Sequence, residues 1–190
     1  MSESQTTPDP AVHLSDGPAP RPNPYSAADV AAILRARGWL AETATPEILA
    51  WCEQAAALLG PQAESPAQLE ELLALVFHYD ARDALAQPEA PSVLTRQGAR
   101  EVLRALALEL LEGPPVDSAR LKEIAAKLRA QVHASSRALF HPLRLALAGR
   151  VGQGELDRVI LLLDAAAALP FACPVKGTRQ RILEFCAALD

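Results

Sequence analysis

The stretch Leu139-Phe140-His141-Pro142-Leu143-Arg144-Leu145-Ala146-Leu147-Ala148-Gly149-Arg150 decides how this chain is read. An apolar run is opened by a proline, interrupted by arginines and closed by a glycine. Pro142 suits the first turn of a helix, where its missing N–H costs nothing and its fixed φ helps. Gly149 suits the helix end. At helical spacing Leu143, Ala146 and Leu147 share a face toward a core, while Arg144 points elsewhere.

The same signals recur along the chain. Ser26 and Asp29 form a capping box ahead of Val30, Ile33 and Leu34, and Gly38 stops that helix. Thr45-Pro46-Glu47 places a cap, a first-turn proline and an early acid before a second helix that ends at Gly60-Pro61. Ser65-Pro66 starts a third, striped by Leu69, Leu72, Leu73, Val76 and Phe77. Residues 87–92, with two prolines, read as a loop. A longer helix is expected from Val93 or Thr95 to Leu111. Gly113-Pro114-Pro115 is the strongest break. After it Asp117 or Ser118 caps a helix through Leu121, Ile124, Ala125, Leu128 and Val132. Another helix carries Leu156, Val159, Ile160, Leu163 and Ala167, and a last one, capped by Thr178, carries Ile182, Leu183, Phe185 and Cys186.

No alternating pattern supports a strand. Half of the 190 residues are hydrophobic but only 4% are aromatic, so the core must come mainly from Leu, Ala, Val and Ile, which suits close-packed helices. The expectation is an all-α helical bundle of two packed subdomains, residues 25–113 and 114–190. It is preceded by a disordered tail over residues 1–24, which hold six of the sixteen prolines.

Charge is unevenly spread. Residues 1–118 carry 7 Lys and Arg against 17 Asp and Glu, a balance of −10, and residues 119–190 carry 11 against 6, a balance of +5. The chemistry of single residues points away from catalysis. Cys52, Cys173 and Cys186 are widely spaced and read as free thiols. His13, His78, His133 and His141 have no partners at ligand spacing, so no metal is expected. Val175-Lys176-Gly177-Thr178 lacks the paired glycines of a phosphate loop. No Ser, Cys or Lys has a nucleophile signature. No cofactor is expected. Nothing resembles a secretory signal or a membrane span, and the chain reads as cytoplasmic.

Lys176, Arg179 and Arg181 cluster at a helix start. Basic residues there oppose the helix dipole, so helix stability does not explain them. They fit either a phosphate or acidic partner or an ordinary solvated face.

The segment from Phe140 to Arg150 resembles the Phe-x-Pro-Leu-Arg-x-Ala-Leu-x-Gly-Arg signature of bacterial glutamyl-tRNA synthetases, in their helical anticodon-binding region. The similarity spans residues 25–190 and is clearest over 137–163. Gln153-Gly154 stands where that family has a Gly-Pro pair, and Asp164 stands where it ends a helix with Gly. The synthetase's nucleotide-binding fold and its His-x-Gly-His and Lys-x-Ser-Lys signatures have no counterpart here. Residues 60–64 lack the basic residues the family often carries before its Leu-rich segment.

The resemblance implies a non-catalytic tRNA-binding protein acting in trans. RNA contact needs cations and flat or forked side chains, and by residue type alone Arg144, Arg150, Lys176, Arg179 and Arg181 are the candidate RNA contacts. The competing role for Arg144 and Arg150 is pairing with carboxylates or helix-end carbonyls. The competing function is a regulatory module that binds a protein, including a separate catalytic chain.

Overall fold

Helix starts in the first half are built as their sequences dictate. The computed structural model describes residues 22–132 and 135–189. The Ser26 hydroxyl accepts from the Asp29 N–H and the Asp29 carboxylate accepts from the Ser26 N–H, opening α1 (Ala27–Ala36). Thr45 and Ser65 cap α2 (Pro46–Leu59) and α3 (Pro66–Phe77), each with a proline in its first turn. Asp80 caps the short α4 (Ala81–Leu85). Of the tail expected over residues 1–24, residues 1–21 lie outside the described residues. Asn23 is anchored, its amide donating to the Ala56 carbonyl at 2.9 Å.

Residues 87–92 are not simply a loop. α5 (Ala90–Leu94) forms there, because Pro91 sits in its first turn, where proline is tolerated. α6 (Ala99–Glu112) consequently begins later than Val93 or Thr95, after Gly98 at φ 86°. Asp117 caps α7 (Ser118–Val132) by accepting from the Arg120 N–H at 2.7 Å.

α8 (Ser136–Ala148) corrects the reading of Pro142. Ser135 supplies the cap, and Pro142 lies buried in the middle of the helix rather than in its first turn. Gly149, at φ 73°, ends the helix as expected. α9 (Gly154–Ala167) follows, then α10 (Thr178–Leu189). Thr178 is not the cap of α10. Its own N–H and hydroxyl both donate to Asp164, whose carboxylate does the capping from α9.

Among the described residues there are ten α-helices and no strand, so the architecture is all-α. Helices on both sides of the Gly113-Pro114-Pro115 break contribute to one continuous apolar cluster. α2 and α3 pack on α9, and α6 packs on α8 and α10. Leu, Ala, Val and Ile do dominate that core, but the scarce aromatics are concentrated where the first half meets the second. Phe77 stacks on Trp39 at 4.8 Å between centroids, and Trp51 and Phe171 meet edge to face at 5.1 Å. The Trp51 indole N–H donates to the Leu162 carbonyl at 3.2 Å, tying α2 to α9.

Candidate nucleic-acid interface

Arg181 lies in the interior, fully buried, and offers no surface to RNA. Its guanidinium donates to the carbonyls of Leu75 (2.9 Å), Val76 (2.6 Å), Leu147 (2.8 Å) and Lys176 (2.8 Å). Three of these belong to the last turns of α3 and α8, where carbonyls lack intrahelical partners and the helix dipole is negative. One cation therefore closes two helix ends. The guanidinium also stacks 4.6 Å from the Tyr79 ring centre. Burial pulls its pKa down to about 10, so it remains charged at neutral pH.

Tyr79 organises this junction. Its hydroxyl donates to the Ala146 carbonyl at 2.5 Å, its carbonyl accepts from the Lys176 ammonium at 3.2 Å, and burial raises its phenol pKa. Its ring lies where a side chain on Gly149 would project, 3.3 Å from the place a Cβ would take. Gln87 donates its amide to the Gly149 carbonyl, satisfying the end of α8 from outside.

Arg144 is engaged in the manner of a structural arginine. Its Nε and Nη2 each donate to an Asp157 oxygen at 2.7 Å, and Nη1 donates to the Gly152 carbonyl at 3.0 Å. This fork-to-fork pair joins α8 to α9 and leaves the Arg144 side chain 13% exposed. The guanidinium also lies 5.1 Å from the Phe140 ring centre.

Lys176 pairs with Glu184 at 2.7 Å and remains about one third exposed. Arg150 and Arg179 are exposed, and no ion pair holds either among the described residues. Lys176 and Arg181 thus meet at Tyr79, with Arg150 one residue beyond the glycine that faces the same ring. Arg144 sits apart, at the α8–α9 connection.

Tyr79, Asp157, Asp164 and Glu184 are the residues that reading the sequence for chemistry passed over. Asp164 accepts from the Val116 N–H (2.7 Å), the Thr178 N–H (2.7 Å) and the Thr178 hydroxyl (2.9 Å). It pins the loop after α6 to the start of α10. The one available signal was its departure from the glycine of the resembling family. Asp157 could be read only as an acid suited to the first turn of a helix.

Among the described residues no group of three or more His, Cys, Asp and Glu is placed to hold a metal, and no helix is long and apolar enough to cross a membrane. His13 and His133 lie outside the described residues. Fold and site together define an all-α module whose arginines close helix ends and leave a few cations on the surface. The chain belongs to the family described as the anticodon binding domain, whose model matches residues 31–169. It is 30% identical over 128 residues to a glutamate–tRNA ligase of Bacillus cytotoxicus. That match covers 66% of this chain and 25% of the ligase, so the chain spans about a quarter of the curated relative it matches. No solved structure matches. The kinship with the anticodon-binding region of glutamyl-tRNA synthetases, expected from Phe140 to Arg150, is borne out.

Proposed function

We propose that this chain binds tRNA in trans to an aminoacylating enzyme and does not itself activate an amino acid. A cytoplasmic location goes with that role. The match of residues 31–169 to an anticodon-binding domain carries the reading. Arg150 supports it, as an exposed arginine inside the matched segment with no internal partner among the described residues. Lys176 and Arg179, beyond the matched segment, add cations just before and at the start of α10. Arg144 contributes by holding α8 against α9, and Arg181 by fixing the ends of α3 and α8.

Fluorescence anisotropy with a bulk tRNA pool tests the reading. Binding is expected to weaken with salt, with a log–log slope of about −0.7 to −0.9 for each phosphate neutralised. Arg150→Ala combined with Arg179→Ala is expected to lower both affinity and slope. Absence of binding at low salt would refute the proposal.

One observation favours a second reading, a regulatory module that binds a protein such as a separate catalytic chain. Three of the five cationic candidates are already held by internal partners. On that reading a pull-down captures the catalytic chain, and reversing the charge of Lys176 and Arg179 leaves the capture unchanged.

A further inference from the structure

A second group of basic side chains lies around Arg144, its other members outside the five candidates. Arg137, in the first turn of α8, is followed by His141 four residues on and by Arg144 three further, so all three fall along one side of the helix. Arg96, in the turn between α5 and α6, reaches this side from a different part of the chain. Its Nη1 lies 3.3 Å from the His141 Nδ1. An arginine N–H can only donate, so Nδ1 accepts and the neutral imidazole carries its proton on Nε2.

The charges here are unbalanced. His141 is held below the usual imidazole pKa by partial burial and by Arg96, Arg144 and Arg137, in that order. Both Asp157 oxygens are already taken by Arg144. Arg96 and Arg137 are exposed, and neither has an ion pair among the described residues. Arg129, at the end of α7, adds a further cation beside the helix start, donating to the Ser136 hydroxyl at 3.3 Å. A basic residue in the first turn opposes the α8 dipole, so Arg137 does not serve helix stability. Gathering these groups without a carboxylate is unfavourable until an anion arrives. Two forked guanidinia and an imidazole N–H supply only donors, which suits phosphate oxygens.

We infer that Arg96, Arg137 and His141 form an anion site that takes backbone phosphates of a bound RNA strand. The site rests on the tRNA-binding reading and adds a contact surface at the start of α8, at the opposite end of that helix from Arg150. As a set of phosphate contacts it positions the strand and carries no sequence information of its own.

The test is a salt titration of the full chain against bulk tRNA by fluorescence anisotropy, comparing wild type with the double variant Arg96→Ala, Arg137→Ala. The double variant is expected to bind roughly tenfold more weakly at low salt, with its log–log slope shallower by about 1.4, two phosphates at about 0.7 each. Arg96→Lys with Arg137→Lys restores most of the slope, since charge is kept. Wild-type binding with an unchanged slope in the alanine variant overturns this site alone. No binding by the wild type overturns the tRNA reading, and the site with it.

Discussion

Arg181 carries more of the architecture than any other polar side chain. Two of its four carbonyl contacts are buried and two part-buried, so Arg181→Met should leave the ends of α3 and α8 unsatisfied and destabilise the protein by about 3–5 kcal/mol, measured by urea unfolding. Arg181→Lys should recover only part of this, because an ammonium cannot match the planar fork. The three thiols should separate by reactivity. Burial pushes Cys52 up to about 11, so it should resist alkylation in the native state while the half-buried Cys173 and Cys186 react first, as mass spectrometry after brief labelling would show. His141 should leave a mark on the pH profile. Its folded pKa lies below the unfolded value of about 6.5. Its contribution to stability is therefore present above that pH and lost as pH falls through the folded value. His141→Gln should flatten the decline in urea midpoint between pH 7.5 and pH 5; an unaltered decline would contradict it.

The helices were legible to the degree that their ends are written locally. Ser26, Thr45, Ser65 and Asp117 each act on the backbone N–H three residues on, so a short window of sequence contains the whole interaction. Pro142 misleads for the same reason. A proline flanked by apolar residues reads as a helix start, yet Ser135 had already begun the helix and the ring is buried in it. An interior proline costs about 3 kcal/mol relative to alanine, against roughly 1–2 kcal/mol for the apolar surface its ring buries. Pro142→Ala should therefore raise stability by about 1–2 kcal/mol in a denaturant titration. Gly149→Ala should do the opposite, by about 1–2 kcal/mol, since it forces a side chain into the left-handed region against the Tyr79 ring.

Across the whole molecule, the aromatic cluster binds the two halves of the chain to each other, and Asp164 ties the start of the second half to α10. Asp164→Ala removes the acceptor for the N–H groups of Val116 and Thr178, both in buried residues, and should cost about 2–3 kcal/mol. Trp39 and Trp51 both lie in the aromatic cluster, so tryptophan fluorescence reports on it. Because residues 25–113 and 114–190 share one core, fluorescence and far-UV circular dichroism should give coincident urea transitions; separate midpoints would mean the two segments unfold independently.

By itself the sequence determined the all-α class, most helix starts, the stop at Gly149 and the kinship carried by Phe140 to Arg150. Each rests on periodicity or on groups within a few residues of one another. Only the tertiary structure decided which arginines face water. Arg144 and Arg150 stand six residues apart on one motif, yet one is clamped by Asp157 and the other is exposed. Arg181 belongs to a basic cluster in sequence but to the interior in space, its partners 34 to 106 residues away save for the Lys176 carbonyl. A cation's role follows from which carboxylates and helix-end carbonyls the fold brings to it, and those contacts lie beyond the reach of any local pattern.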